Sequence, residues 1–256
     1  AGVYYFRVPA LINIVVAVFG AVAAEYAVQK FMKRQVTVKD YSAAVTGLLL
    51  AMNVPASLPW WITLIGSIFA IVVVKQLFGG LGHNFMNPAL AARAVMLASW
   101  PVQMTSWTTP GADAVSTATP LAVLKGIEGG QAAGIMDMLL GNTAGCIGET
   151  SALLLLLGGI YLIYRGVISY HIPVIYIATV AVLSFLFSGF QVSAISYNVL
   201  AGGLMLGAFF MATDYASSPV NIKAQIVYAF GCGLLTTVIR YFGGYPEGVS
   251  YSILLM

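Results

Sequence analysis

Residues 9–29 read Pro9-Ala-Leu-Ile-Asn-Ile-Val-Val-Ala-Val-Phe-Gly-Ala-Val-Ala-Ala-Glu-Tyr-Ala-Val-Gln29, with Glu25 as the one ionisable side chain before the tyrosine. A helix needs ~20 largely apolar residues to cross a bilayer core, so this stretch reads as a membrane span. The rest of the chain agrees: of 256 residues, 60% are hydrophobic and 7% are charged. The mean hydropathy is +0.93. An ordinary soluble domain carries roughly a quarter charged residues; too few polar groups remain here to cover a globule, which excludes a soluble enzyme. The 27 glycines suit closely packed membrane helices, and the 14 tyrosines and 4 tryptophans suit interfacial anchoring. The expected fold is all-α, a polytopic integral membrane helical bundle.

Further full-length candidates are Leu58–Phe78, Thr150–Tyr164, Ile172–Ser188, Ser196–Thr213 and Ala224–Arg240. Two runs are too short to span, Tyr41–Asn53 and Pro88–Trp100, and both open on a polar or turn signature, Lys39-Asp40 and Asn87-Pro88. Short, interrupted helices point to an internal binding site, because non-helical backbone at membrane depth must be buried by protein or line a cavity. The expectation is one membrane domain over 1–256, with two short or broken helices, read as truncated at both ends. A weak internal repeat is expected from two echoes. Tyr41–Ala51 resembles Glu149–Gly158, and Asn84–Pro88 resembles Asp214–Pro219.

Positive charge sets the expected direction. Lys30, Lys33, Arg34 and Lys39 follow the first span and are assigned to the cytoplasm, with Arg165 and Lys223. Lys75 and Arg93 fall near that face; Arg7, Lys125 and Arg240 fall outside. The stretch 101–130 is then an extracytoplasmic loop. A formal charge of +3, thinly spread, gives no basis for a nucleic-acid partner. Cys146 and Cys232 form no CxxC and cannot alone hold zinc or an iron–sulfur cluster, so no metal site is expected.

The most informative stretch is Asp113-Ala-Val-Ser-Thr-Ala-Thr-Pro-Leu121. Pro120 disfavours the helical region for Thr119, so its hydroxyl should be presented from extended backbone. Ala114, Ser116 and Ala118 add little bulk around it, and Pro120 fits the first turn of a helix running through Leu124. The plainer reading is a Thr-Pro helix start with Thr119 as N-cap; both can hold at once. The motif resembles the threonyl-flavin attachment sequence of the NqrB/RnfD family. Further segments match in order: Val45–Ala51, Lys75–Asn84, Asn87–Arg93, Gly141–Ser151 and Gly207–Asp214. Pro120 and the compact loops resemble the RnfD branch more than the NqrB branch. The resemblance implies an electron-transfer subunit of an Rnf-type, ion-translocating ferredoxin:NAD oxidoreductase, with other membrane and flavoprotein subunits as partners and Na+ or H+ as cargo. It implies FMN bound covalently to Thr119 by a phosphoester, with Asp113, Ser116, Ala118, Pro120 and Leu121 completing the attachment motif. It also implies a second, non-covalent flavin, riboflavin or similar.

Candidates for that second site are Lys75, Gly80, His83, Asn84, Asn87 and Arg93. Charges inside apolar helices are costly and usually functional, although one such side chain can snorkel to the interface. Gly79, Gly80 and Gly82 allow backbone to approach a planar ligand, and the Asn87-Pro88 helix start offers amides to developing negative charge. His83 reads more readily as a hydrogen-bonded loop residue than as a ligand, and His171 reads as interfacial. Glu149 reads as part of a tight turn. Glu25 and Asp214 lie near helix ends, and Glu25 is placed at the interface because Lys30 and Lys33 are close. No acid–base pair or nucleophile stands out, as suits an electron carrier without an active site of its own. The alternative is a secondary transporter or channel built on the broken helices, and a third is a cofactor-free scaffold. Neither accounts for the 113–121 motif.

Overall fold

The computed structural model describes residues 1–109, 119–125, 133–244 and 247–256, with only the backbone of Leu124. Asp113, Ser116 and Ala118, and with them most of the 101–130 loop's centre, lie outside the described residues. Among the described residues the chain is helical, apart from one isolated β-bridge between Pro55 and Cys146. The helices are α1 (Gly2–Phe31), α2 (Ser42–Met52), α3 (Trp60–Gln76), α4 (Pro88–Ser99) and α5 (Pro101–Met104). They continue with α6 (Pro120–Leu124), α7 (Ile135–Leu140), α8 (Ala152–Tyr164), α9 (His171–Phe187) and α10 (Val192–Leu200). Last come α11 (Leu204–Met211), α12 (Ile222–Phe242) and α13 (Val249–Leu255).

α1 is kinked at Arg7, whose φ is 53°, two residues before Pro9 removes a helix N–H. Its buried stripe runs Ala10, Asn13, Ala17, Gly20, Ala21 and Ala24, one helical face of mostly small residues. Small side chains bring backbones together: a Cβ on Gly20 would meet the Ser67 hydroxyl, and one on Gly47 would meet the Ala17 carbonyl at 2.5 Å. Asn13 holds the non-helical chain after α2. Its Nδ2 donates to the Ala56 and Leu58 carbonyls at 3.2 and 3.0 Å, and its Oδ1 accepts from Thr63 Oγ1 at 2.6 Å. Buried backbone outside a helix is thereby satisfied, as the membrane interior requires.

The two short runs are α2 and α4, of 11 and 12 residues. The carbonyls beyond α2 pair with the segment before α8: Ile147 N–H donates to Val54 at 3.0 Å and Gly148 N–H to Met52 at 2.8 Å. Two expectations need correction. Ser196–Thr213 is not one continuous helix but parts of α10 and α11, bent by 62°, because Gly202 takes φ 71° and breaks the ladder. Likewise, among the described residues α1 and α12 alone are long and apolar enough to cross a bilayer, or three spans if the α10–α11 pair counts as one. α3 and α9 are 17-residue helices and α8 has 13 residues. α3 ends in a π-helical turn, Ala70–Gln76, and α11 in another, Gly207–Met211.

The interior is mixed and the exterior apolar, as lipid requires. Phe19, Leu154, Leu157, Val182, Val227 and Phe230 are exposed, whereas Asn13, Thr63, Ser67, Thr236 and Ser252 are buried. Leu90, Leu204, Met211 and Tyr228 pack between α4, α9, α11, α12 and α13. There the hydroxyls of Tyr176, Thr236 and Ser252 form a closed triangle at 2.6, 2.9 and 2.7 Å. Contacts define two faces. At the basic face Arg34 Nη1 donates to the Gln76 carbonyl at 2.9 Å and Ser169 bonds Gln225 at 3.0 Å. At the opposite face Tyr5 bonds the Leu140 carbonyl at 3.0 Å, and Trp61 meets Trp100 edge-on at 5.7 Å.

Candidate functional site

Thr119 stands at the opposite face. Pro120 holds it in extended backbone, φ −72° and ψ 153°, and its Oγ1 accepts from the Ala122 N–H at 3.2 Å. It is 5% exposed, and α6 is a single short helix of 5 residues. Leu121, next to Pro120, packs on Met138 and Ala201. Beside Thr119 lies a small cavity of about 10 Å³, walled by Thr143, Ala144, Glu149, Glu247 and the α10 break at Ala201–Gly202. That is room for roughly one water.

A charged cluster closes this cavity from below. Arg93 of α4 donates to Glu247 and to Ser250, and its Nη2 lies 3.7 Å from Cys146 Sγ. Glu149 Oε2 accepts from the Cys146 N–H at 3.4 Å, while its Oε1 has no partner. Burial, and then the nearby Glu247 carboxylate, raise the Glu149 carboxyl to about 7, and burial pushes the Cys146 thiol well up. Ligand atoms of Cys146, Glu149 and Glu247 lie within 4.8 Å of one another, but the Arg93 guanidinium already takes the Glu247 carboxylate. Arg240 completes the group. It is 5% exposed, and its two terminal nitrogens donate to the Asn198 and Ala201 carbonyls.

A cavity of about 390 Å³ opens on the far side of Leu121, lined by Lys125, Ser188, Gln191, Ala194, Asn198, Arg240 and Tyr241. At the basic face a larger one, about 620 Å³, is lined by Asp40, Ser42, Lys75, Gly82, Asn84, Asn87 and Asp214 among others. Asn87 caps α4 through the Ala89 and Leu90 amides and donates to the Met211 carbonyl at 3.4 Å, tying the α4 start to the π-helical end of α11. The two Xaa-Pro segments matched in sequence, at Asn84 and Asp214, thus meet at one cavity.

Lys75, Asn84 and Asn87 therefore come together. Gly80, with φ 99°, and the exposed His83 share the turn next to them, the His83 N–H donating to the Gly80 carbonyl at 3.2 Å, but neither lines the cavity. Arg93 does not join them: its side chain reaches the Thr119 side through Glu247. Glu25 faces the protein interior near that cavity. It is 1% exposed and pairs with Lys75 at 2.8 Å, because it shares the inward stripe of α1. Arg240 and Glu247 were not singled out by sequence reasoning. Arg240 ends an apolar run and reads as a snorkelling terminus; only its burial reveals otherwise.

Buried polar side chains, lipid-facing apolar ones, broken helices and two polar cavities at opposite faces define a polytopic membrane protein with internal polar cavities. Residues 1–256 match the model of the NQR2, RnfD, RnfE family, and the chain belongs to that family. It is 56% identical over 256 residues to the D subunit of the Na(+)-translocating ferredoxin:NAD(+) oxidoreductase complex of Acetobacterium woodii, covering 99% of this chain and 79% of the relative. It is 48% identical to the D subunit of the proton-translocating ferredoxin:NAD(+) oxidoreductase complex of Clostridium ljungdahlii, covering 100% and 81%. It is 39% identical to the D subunit of the ion-translocating oxidoreductase complex of Alcanivorax borkumensis, covering 96% and 80%.

Proposed function

We propose that this chain is the electron-transfer membrane subunit of an ion-translocating ferredoxin:NAD oxidoreductase complex, working with the other membrane and flavoprotein subunits. In this reading it carries FMN on Thr119 through a phosphoester and a second, non-covalent flavin in the basic-face cavity. The single observation that carries it is Thr119 itself: a hydroxyl held on extended backbone by Pro120, beside a small cavity that shares Leu121 with a cavity of ligand size. The cavities of about 390 and 620 Å³ lie within the roughly 300–1,000 Å³ typical of small-molecule sites, so both fit a flavin. The flavins, when bound, supply one- and two-electron chemistry.

The chain's own residues then tether, orient and tune. Thr119 Oγ1 gives the ester oxygen, and Pro120 keeps its backbone extended at the start of α6. At the basic face Lys75 sets a cation beside the cavity, and Asn84 and Asn87 offer amide groups to a heteroaromatic edge. Gly80 and His83 shape the adjoining turn, and Arg93 lies outside this site. The Thr119 side is assigned to the extracytoplasmic face, since the lysine-rich face carries the positive-inside signal.

The test is peptide mass spectrometry on protein made in cells that contain a flavin transferase. The peptide ending at Lys125 should gain the mass of FMN less one water, and the gel band should fluoresce. Both signals should vanish in Thr119→Ala. An unmodified wild-type peptide overturns the reading.

A further inference from the structure

We infer that Glu149 is a proton-binding site: its carboxyl exchanges a proton through the small cavity at Thr119 and takes one up when negative charge is added on that side. The second half rests on the Thr119 reading, which puts an electron acceptor there; the first half stands without it.

The bonding of Glu149 is the starting observation. The residue is 8% exposed and sits in the turn before α8. Its Oε2 accepts one long hydrogen bond, from the Cys146 N–H at 3.4 Å, and its Oε1 has no partner among the described residues. A buried carboxylate ordinarily collects several donors or an ion pair. Among the described residues the ion pairs are Lys75–Glu25 and Arg93–Glu247, so Glu149 has no cation at ion-pair distance. Its open oxygen faces the α10–α11 break, where a Cβ on Gly203 would lie 2.6 Å from Oε1. The cavity it lines with Thr119, Thr143 and Glu247 holds about 10 Å³, room for roughly one water. A water beside an open carboxyl oxygen is what a proton needs to come and go.

The groups around Glu149 pull in opposite directions. Burial and the Glu247 carboxylate favour the protonated form; the Arg93 guanidinium and the Cys146 N–H favour the ionised one. Arg240, across the Gly202–Gly203 break, is also drawn to both carboxylates, and a Cβ on Gly202 would stand 3.3 Å from its Nη2. The Cys146 thiol stays protonated through its own burial and adds no charge. A carboxyl held between opposed influences changes its proton when one nearby charge changes.

A metal ion fits this cluster worse. Cys146, Glu149 and Glu247 offer ligand atoms within 4.8 Å of one another, but the guanidinium groups of Arg93 and Arg240 already answer the two carboxylates. A multivalent cation would leave the buried group strongly positive. A proton adds a single charge and needs no ligand shell. Negative charge placed on the Thr119 side by an electron then favours the protonated carboxyl, with the proton drawn from water and bound at Oε1.

The test is infrared difference spectroscopy of the detergent-purified full chain, made with and without a flavin transferase, with mass spectrometry of the Thr119 peptide on each sample. Without flavin, a carboxylic-acid carbonyl band should fade as pH rises through about 7, shift in deuterium oxide and be lost in Glu149→Gln. Gly203, at φ −75°, accepts alanine without backbone strain, so Gly203→Ala decides if Glu149→Gln does not fold. Its methyl group displaces water from the open oxygen and should move the band's midpoint to higher pH. The absence of a titrating band, a band that survives Glu149→Gln, or an unmoved midpoint in Gly203→Ala overturns the proton site. With flavin in place, dithionite reduction above the midpoint should make the same band grow. An unchanged band in fully flavinylated protein overturns the coupling. A wild-type Thr119 peptide without flavin overturns the underlying reading instead, and the flavin-free spectra then decide the proton site by themselves.

Discussion

Lys75 and Glu25 show what a single buried charge demands of its surroundings. Their side chains are 2% and 1% exposed and lie 2.8 Å apart. Ser42 Oγ accepts from Lys75 Nζ at 2.6 Å, and Gln76 Nε2 donates to Glu25 at 2.7 Å. Removing one partner leaves the other charge buried and alone, which costs about 3–5 kcal/mol. Lys75→Met should therefore be strongly destabilising, and Lys75→Met with Glu25→Gln should regain most of the loss. Thermal unfolding of the singles and the double in one detergent gives the coupling; simple additivity would refute it. Lys75 was legible in the sequence, as a charge inside an apolar run. Its partner was not. Charges along a helix locate Glu25 near the end of α1, but its direction around the axis depends on the Ala17–Ala21–Ala24 stripe that packs inward. Arg240 escaped for a related reason, since depth along a helix says nothing about which neighbour covers it.

At the scale of elements, the break between α10 and α11 decides what lies beside Thr119. Hydropathy runs unbroken from Ser196 to Thr213, and glycines in membrane helices usually read as packing positions, so the bend was invisible in the pattern. The short α2 and α4 were legible to within a few residues, because Lys39-Asp40 and Asn87-Pro88 announce their starts. Gly202 needs φ 71°, a region that costs an L-residue about 1–2 kcal/mol, and its Cβ position is filled by Leu121. Gly166 has φ 67° with nothing within 4 Å, so alanine there tests backbone strain alone. Gly202→Ala should lower the melting temperature clearly more than Gly166→Ala, by several degrees on the scale of about 2–4 °C per kcal/mol for chains of this size. Equal losses would mean that Leu121 and Arg240 do not depend on the break.

At the scale of the molecule, lysines and arginines alone predict which face lies inside, and the helix order follows that assignment. Both native cysteines are buried, so introduced ones report without background. Val102 is 73% exposed near the tryptophan-bearing face, and Val220 is 91% exposed near the lysine-bearing face. In right-side-out vesicles an impermeant maleimide should label Val102→Cys and spare Val220→Cys, with the reverse in inverted vesicles. The opposite pattern would invert the whole arrangement and place Thr119 in the cytoplasm.

α1 has a further consequence. Even counted from beyond its kink at Arg7, it runs on to Phe31 for about 36 Å at 1.5 Å per residue, against a hydrocarbon slab of about 30 Å. A shaft longer than its medium leans, and the lean follows the thickness of the slab. Since Glu25 rides on that shaft and grips Lys75, acyl-chain length has mechanical leverage on the charge beside the larger cavity.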